Sequence, residues 1–230
     1  MPLKAFENKY KGQAAYILGT GPSLRNVEPG QFSDGIVIAV NGAILKVPTA
    51  DYFFSCDAGL TLWKSWLSLK DLQCDLILAT NEGFDCFESR LGGRKVFDGI
   101  SEERIHYLPR NYRDNVFRDD KLIRGSSSVH PAVHFASIMG CDPIVLYGCD
   151  CQYADGKKHY WDFPGQPDEG LIKPEYDKFR RPLSPDNPGG ATDDELVFHR
   201  GAWKELKELN LEAMKVVVDR SGGALKEMFA

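Results

Sequence analysis

The sequence predicts an α/β fold, a three-layer sandwich in which helices cover both faces of a mostly parallel β-sheet. Seven short apolar runs rich in Ile, Val, Phe and Leu lack the alternation of half-exposed strands, so both of their faces are expected to be buried. Helical patterns lie between several of these runs, and such alternation is typical of parallel sheets. The predicted strands are residues 14–18, 36–40, 52–55, 76–79, 104–108, 144–147 and 215–218.

The predicted helices cover residues 60–69, 129–139 and 193–209. The three serines before the second helix offer N-cap hydroxyls, and Gly140 is a natural stop signal. Thr192 and Glu195 form a capping box before the third helix. A further helix is expected to start after the first strand, at Pro22, because proline suits a first helical turn.

A long insertion follows the sixth predicted strand. Residues 150–190 show little periodicity but contain many prolines and glycines, and a loop of this length is usually functional or disordered. Its aromatic and basic side chains favour a lid over an anionic ligand, with a solvated surface loop as the alternative for its second half. We expect residues 1–230 to form a single domain, with 150–190 as a lid-like insertion.

Composition excludes several functional classes. The chain has 33 acidic and 28 basic side chains and a net charge of −5, so no overall field draws it to nucleic acid or to an anionic membrane. No apolar run approaches the roughly 20 residues that span a bilayer, and residues 1–11 lack a signal-peptide core, so we expect a cytoplasmic protein. The six cysteines lack zinc-site spacing and are expected as reduced thiols. We expect no metal and no cofactor, and the sequence leaves open whether the chain is a monomer or a homo-oligomer.

The strongest functional signal is a glycine-rich turn directly after the first predicted strand. Its sequence is Gly19-Thr20-Gly21-Pro22-Ser23. We expect several free backbone N–H groups to gather at this turn, where they can hold an anion such as a phosphate. A plain strand-to-helix turn is the alternative interpretation.

The glycine turn departs from the dinucleotide-binding pattern in two ways. The third glycine of that pattern is missing, and the residue about 20 positions further on, at the end of the second strand, is Asn41 rather than Asp or Glu. Hydride transfer with NAD is therefore disfavoured, while a mononucleotide remains open.

Polar groups gather at the predicted carboxyl edge of the sheet, where ligands bind in open parallel sheets. A second helix start, after Gly125, would face the same crevice, and Arg124 beside it would give a bidentate phosphate contact. Capping alone is the alternative for the serines, and a turn-forming role is the alternative for Asn41. The nucleotide-binding residues that we predict are Gly19, Thr20, Gly21, Pro22, Ser23, Asn41, Ser55, Asp57, Arg124, Gly125, Ser126, Ser127, Ser128, Gly148 and Asp150.

His159 is the best acid–base candidate among the five histidines, because imidazole titrates near neutral pH and a lid can carry it to a sugar hydroxyl. His130 lies near the expected crevice and is a candidate ligand contact. His134 and His199 are interpreted as packing or surface residues, and His106 lies inside a strand.

Taken together, these motifs resemble a known superfamily. The glycine turn, Asn41, the serines before the second helix, and the stretch from Gly148 through Asp150 to His159 look like the motility-associated-factor (Maf) and MptE-like superfamily. The glycine turn is also similar to that of bacterial CMP-sialic-acid-dependent sialyltransferases.

The resemblance implies a Rossmann-like domain that binds a cytidine nucleotide as substrate, free or as a nucleotide-sugar. In the transferase branches it implies movement of a nonulosonic acid to an acceptor hydroxyl, with inversion of the anomeric centre and without a metal. Carried over by position, Tyr160 approaches the leaving phosphate, and a histidine, assigned here as His159, deprotonates the acceptor. The acceptor itself is unknown.

The sequence also departs from the sialyltransferases. Residues 187–190 lack the histidine that serves as their base, and Thr20 replaces their asparagine. Two other functions stay open. One is an MptE-like diphosphokinase that transfers diphosphate from ATP to a small alcohol, which would need Mg²⁺ on carboxylates such as Asp57 and Asp150. The other is a non-catalytic module that binds a nucleotide.

Overall fold

The protein is described by a computed structural model that covers residues 2–56, 72–80, 100–111, 113–166 and 193–229. Seven strands in these ranges form one sheet, and every neighbouring pair is parallel. The strands are β1 (Ala14–Leu18), β2 (Gly35–Val40), β3 (Tyr52–Ser55), β4 (Asp75–Thr80), β5 (Ile105–Pro109), β6 (Ile144–Tyr147) and β7 (Val217–Asp219). Their order across the sheet is β5-β4-β3-β2-β1-β6-β7. The predicted parallel α/β fold, which is Rossmann-like, is confirmed.

Helices lie on both faces of this sheet. The described α-helices are α1 (Ala43–Lys46), α2 (Val129–Ile138), α3 (Asp193–Leu209) and α4 (Leu211–Met214). Short 3₁₀ helices cover Leu3–Phe6, Pro22–Asn26, Pro29–Gln31, Glu102–Arg104 and Tyr160–Asp162. The structure confirms the predicted helices 129–139 and 193–209 to within one residue. The predicted helix 60–69 lies outside the described residues. The predicted capping box is not described either, because Thr192 precedes the described range and the side chain of Glu195 is outside the description.

The prediction of a regular helix after Gly21 is wrong. The chain forms only a five-residue 3₁₀ helix, Pro22–Asn26, and Val27 is already extended. Pro29 explains the early stop, because a proline disfavours helical conformation in the residue before it, and Glu28 is extended with φ −99° and ψ 130°.

Two clusters of buried side chains lie on opposite faces of the sheet. Along β2, Ile38 packs into the cluster beneath α2 while Val37 packs into the cluster beneath α1, as the two-residue period of a strand requires. We call these sides the α2 face and the α1 face. Both residues are apolar because both faces are covered, which is why the sequence shows unbroken apolar runs.

The first part of the predicted insertion is docked against the sheet edge. Tyr160 and Trp161 are buried on the α1 face. The Tyr160 N–H donates to the Thr20 carbonyl at 3.1 Å, and its hydroxyl donates to the Gly42 carbonyl at 2.8 Å. Residues 167–190 lie outside the described part of the chain. The single domain and the lid stay predictions.

The five cysteines in the described ranges are free thiols, which agrees with the predicted reduced state; Cys86 lies outside these ranges. None of the helices in the described part of the chain has both the length and the apolar character that crossing a membrane requires.

The turns after β1 and β6 approach each other more closely than side chains permit. The Gly19 N–H donates to the Tyr147 carbonyl and the Gly21 N–H to the Gly148 carbonyl, both at 2.7 Å. A Cβ atom on Gly19 would lie 2.4 Å from the Gly148 oxygen, and one on Gly148, where φ is +63°, would lie 2.5 Å from the Gly19 oxygen. A Cβ on Gly21 would lie 2.2 Å from Oδ2 of Asp150. A side chain at Gly19, Gly21 or Gly148 would clash with the opposite turn, so these three positions need glycine.

We expect Gly21→Ala to lower the free energy of unfolding by about 2 kcal/mol, since the added methyl group must displace the buried Asp150 carboxylate. Gly30→Ala is the matched control, because a Cβ on Gly30 meets no atom within 4 Å. Urea unfolding of both variants measures the difference. Equal stabilities would show that the two turns can separate at little cost.

Two histidines of α2 are buried in uncharged form. His134 is 1% exposed, its Nδ1 accepts the Ile123 N–H at 3.2 Å, and its ring stacks on Phe117 with centroids 4.1 Å apart. Burial lowers the pKa of His134 to about 3. Burial, with a smaller effect from His199, also lowers the pKa of the fully buried His130 to about 3.

Folding stability should therefore fall in acid. Each histidine is neutral in the folded protein but takes up a proton in the unfolded chain below about pH 6.5, so stability is complete above that pH and is lost as the pH falls towards 3. Each contributes a slope of up to about 1.4 kcal/mol per pH unit. Urea unfolding between about pH 6.5 and 5 should show a shallower slope for His134→Gln than for the wild type. Parallel slopes in this range would contradict the assignment.

Candidate functional site

The switch point of the sheet lies between β1 and β6. From β1 the chain continues to β2, β3, β4 and β5 on one side, while β6 and β7 lie on the other. Because the strands are parallel, their carboxyl ends meet at one edge, and ligands of such sheets bind there. We call this edge, with the residues that directly follow β1, β2, β3 and β6, the carboxyl rim.

The glycine turn at the rim binds an anion that belongs to the protein itself. The Ser23 N–H and hydroxyl both donate to Oδ2 of Asp150, at 3.1 and 3.0 Å. Gly19 donates to the last carbonyl of β6, that of Tyr147, and Gly21 donates to the Gly148 carbonyl after it, so Thr20 is the residue of the glycine turn whose N–H lacks a protein acceptor among the described residues. The prediction of several free N–H groups is therefore wrong. Burial raises the pKa of the Asp150 carboxyl, and the bonds from Ser23 act in the opposite direction.

The second predicted anion site, before α2, also has an internal occupant. Nδ1 of His130 accepts the N–H groups of Ser126 at 3.4 Å and Ser127 at 3.2 Å. A ring nitrogen that accepts N–H bonds carries no proton, so the proton of the neutral ring is on Nε2. That atom is buried without a partner in the described part of the chain. His130 is thus a support for the serine turn.

Ser128 does not cap α2 with its side chain, contrary to the prediction. Its hydroxyl instead accepts the N–H of Cys56, which follows β3, at 3.2 Å. This bond ties the start of α2 to the carboxyl end of β3, two strand positions or about 10 Å from β1. The serine turn and the glycine turn therefore lie along the same rim. Gly125, which has φ +60°, donates its N–H to the Asn115 side chain at 2.8 Å.

His199 reaches the rim although its sequence pattern indicated packing or surface. Its Nδ1 lies 2.9 Å from the Ser126 hydroxyl oxygen. In the sequence, His199 lies on the same stripe of α3 as Trp203, one turn away. In the structure the Trp203 ring packs against the His130 ring, with centroids 4.3 Å apart. Because this stripe of α3 packs on the first turn of α2, His199 lies next to Ser126.

His159 approaches the rim from the opposite face. Its Nδ1 lies 3.2 Å from the Thr20 hydroxyl oxygen, and its ring stacks on Trp161, with centroids 4.3 Å apart and an interplanar angle of 18°. Trp161 belongs to the α1 face, whereas Ser126 and His199 lie on the α2 face. The rim therefore has an imidazole on each side.

Tyr160 does not have its predicted position beside a leaving phosphate. Its side chain is fully buried, and its hydroxyl is bonded to the Gly42 carbonyl. Because its N–H also bonds to Thr20, Tyr160 anchors the segment that carries His159.

Asn41 combines an unusual backbone with an unsatisfied side chain. Its φ is +53°, in the left-handed region, and its N–H donates to the Phe54 carbonyl at 3.0 Å. Its Oδ1 is buried and has no hydrogen-bond donor among the described residues. An unpaired buried acceptor costs about 1–3 kcal/mol, and such costs concentrate at functional sites.

The remaining predicted residues differ in exposure. Ser55 is fully buried at the end of β3. Arg124 is exposed, and its carbonyl accepts Nε of Arg110 at 2.8 Å. Asp57 lies outside the described residues. Within the described ranges, no three His, Cys, Asp or Glu side chains come together as a metal site would need.

A cavity of about 330 Å³ lies away from these residues. Tyr52 and Asp75, the first residues of β3 and β4, line it together with Lys9 and Asp51. It is therefore at the amino edge of the sheet, and none of the predicted site residues lines it.

The chain was compared with curated proteins, solved structures and family models. No curated protein matches. A solved structure, the MAf glycosyltransferase from Magnetospirillum magneticum AMB-1, matches with 15% identity and a TM-score of 0.43, over 67% of this chain. The match covers only 27% of that protein. A model of the MptE-like family, described as 6-hydroxymethylpterin diphosphokinase MptE-like, matches residues 1–156. Since this match covers more than half of the chain and agrees with the resemblance of its motifs, the protein belongs to the MptE-like family.

Proposed function

We propose that the protein is a nucleotide-dependent transferase that moves an acidic, nonulosonic sugar from a CMP-activated donor to a hydroxyl acceptor. The nucleotide would lie on the carboxyl rim between the glycine turn, Asn41 and the serines before α2. The parallel topology supports this choice of edge, because the switch point between β1 and β6 opens there.

The observation that carries the proposal is the unpaired oxygen of Asn41. Asn41 has a left-handed backbone conformation at the rim, and no described side chain donates a hydrogen bond to its Oδ1. Asn41 as a whole is only partly buried, so its side chain lies close to the surface of the rim. A ribose hydroxyl or the amino group of a cytosine base is a suitable donor.

Side chains supply the positive charge that a phosphate needs at the α2 face. The N–H groups of Ser126 and Ser127 are bonded to His130, so the amides alone do not provide a phosphate site. Arg124 is exposed beside these serines, and Arg110 is held against its main chain. In a chain of net charge −5, this local pair of arginines supports anion binding at the rim.

The transfer step needs a proton acceptor at the incoming hydroxyl. In the proposed reaction an imidazole takes the hydroxyl proton, and the oxygen forms a bond to the anomeric carbon of the sugar. The bond from that carbon to the phosphate oxygen breaks, and CMP leaves with the electron pair. His159 is the proposed acceptor, because it sits beside Thr20 of the glycine turn.

Nucleotide binding is tested with Asn41→Gly, which removes the side chain but tolerates the left-handed backbone. We expect calorimetry to show CMP binding to the wild type and about tenfold weaker binding to the variant, with stability unchanged or raised. Asn8→Gly is the matched control, since Asn8 has φ +56° but precedes β1 at the amino edge. Absence of CMP binding, or equal affinity in Asn41→Gly, would sink the proposal.

Catalysis is tested with CMP-N-acetylneuraminate as donor and CMP release as the readout. We expect His159→Ala to reduce turnover by about 100-fold while CMP affinity is retained, because general base catalysis acts on the chemical step. His199→Ala is measured in parallel. If that variant alone loses turnover, the base is on the α2 face and the assignment to His159 is wrong.

A second candidate is favoured by the name of the matched family: diphosphate transfer from ATP to a small alcohol. That reaction would need Mg²⁺. Asp150 already accepts two bonds from Ser23, and no three His, Cys, Asp or Glu side chains come together among the described residues, so the ion would be held there by one or two carboxylates together with the phosphates of ATP. Asp57 lies outside those residues. Addition of EDTA to the two assays separates the candidates, because only diphosphate transfer should stop. CMP binding without turnover of either donor would favour a non-catalytic module.

A further inference from the structure

A pair of positive side chains beside the glycine turn shares one aromatic ring. The Arg25 guanidinium carbon lies 3.9 Å from the ring centroid of Phe163, and the Lys157 ammonium nitrogen lies 4.5 Å from the same centroid. Phe163 is 8% exposed, and both cations are partly buried. We call Arg25, Lys157 and Phe163 the Phe163 patch.

The patch adjoins the candidate site on the α1 face. Arg25 belongs to the 3₁₀ helix that directly follows the glycine turn, and Lys157 precedes His159 by two residues. The Phe163 N–H closes the turn Tyr160–Asp162 by donating to the Tyr160 carbonyl at 3.2 Å. The bonds that dock this segment on Thr20 therefore also set the patch next to His159.

The cations of the Phe163 patch form no ion pair in the part of the chain that the structure describes. Nη1 of Arg25 is buried without a hydrogen-bond partner there, and neither cation forms an ion pair with a described carboxylate. A third cation is close, since Lys46 donates to the Arg25 carbonyl and to the Gln166 side chain, each at 3.2 Å. The charges of Arg25 and Lys157, which are partly buried and share one ring, repel each other.

Packing alone accounts for only part of this arrangement. A cation over an aromatic ring gains about 0.5–1 kcal/mol where it is exposed, which explains why one of the two side chains lies on Phe163. It does not explain a second cation at the same ring, and it provides no acceptor for the buried N–H of Arg25. A bound anion would satisfy both requirements.

We propose that Arg25 and Lys157 form an oxyanion subsite that holds a carboxylate or phosphate group of the ligand bound at the rim. Arg25 supplies a planar fork for two oxygens, and Lys157 supplies a point charge. The identity of the ligand rests on the proposed function, in which the sugar carboxylate would lie here; the existence of the subsite does not. In the diphosphate alternative the same groups would hold a phosphate.

The test uses the full chain with two probes, inorganic pyrophosphate and N-acetylneuraminate. Each probe at millimolar concentration is expected to raise the melting temperature if it binds the folded protein. We expect Arg25→Gln to weaken the binding of the better probe by about tenfold and Lys157→Gln by several-fold, measured by calorimetry. Lys11→Gln removes the same charge from an exposed position before β1 and should bind like the wild type.

The outcomes separate the subsite from the proposed function. Probe binding that is weakened in both variants but unchanged in Lys11→Gln supports the subsite, and the better probe tells a carboxylate from a phosphate. Failure of both probes with the wild type, or equal binding by Arg25→Gln, overturns it. If pyrophosphate binds and both variants weaken its binding, but CMP does not bind, the subsite stands and the proposed function fails. Should Arg25→Gln not fold, the guanidinium resonances of Arg25 in the wild type must shift on addition of the probe, and no shift rejects the subsite.

Discussion

The close approach of the turns after β1 and β6 is the constraint on which the candidate site depends. Gly19 and Gly21 donate to the turn that contains Gly148 across a gap in which a Cβ atom would lie 2.2 to 2.5 Å from oxygen atoms. The contact brings Asp150 under Ser23 and leaves Thr20 at the surface of the turn, where it meets the segment that carries His159. The geometry of the rim therefore depends on Gly19, Gly21 and Gly148, because a side chain at any of them would push the two turns apart.

That same contact changes what the glycine turn can do. The sequence indicates amides that hold an anion, and the structure contains this chemistry, but the anion at Ser23 is the carboxylate of Asp150. At the serine turn the corresponding acceptor is the neutral ring of His130. Buried N–H groups are rarely left unpaired, so a turn packed this tightly obtains its acceptors from its own chain.

The sequence was sufficient for the sheet, because apolar runs such as 36–40 must be buried on two sides, and a parallel sheet is the arrangement that buries them. It was also sufficient to predict that the glycine turn, Asn41 and Ser55 lie at the carboxyl ends of neighbouring strands. It did not reveal which polar groups pair across that edge: Ser23 and Asp150 are 127 residues apart, and Ser126 and His199 are 73 apart. Such partners are selected by packing in three dimensions, which leaves no local pattern. The short 3₁₀ helix after Gly21 results from two prolines with opposite effects, since Pro22 suits a first helical turn whereas Pro29 disfavours helical conformation in the residue before it.

The amides of the glycine turn and the serine turn are bonded within the protein, and this affects how the proposed ligand would be bound. Amides that are already bonded to Asp150 and His130 hold the two turns in place, so in the proposed reaction the turns serve as a frame for the ligand. In the proposed function, the negative charges of the ligand are bound by long side chains such as Arg25, next to the glycine turn, and Arg124, next to the serine turn. A rigid frame with charged groups at both ends favours an elongated ligand with negative charge at two separate points, because only such a ligand can neutralise both ends at once.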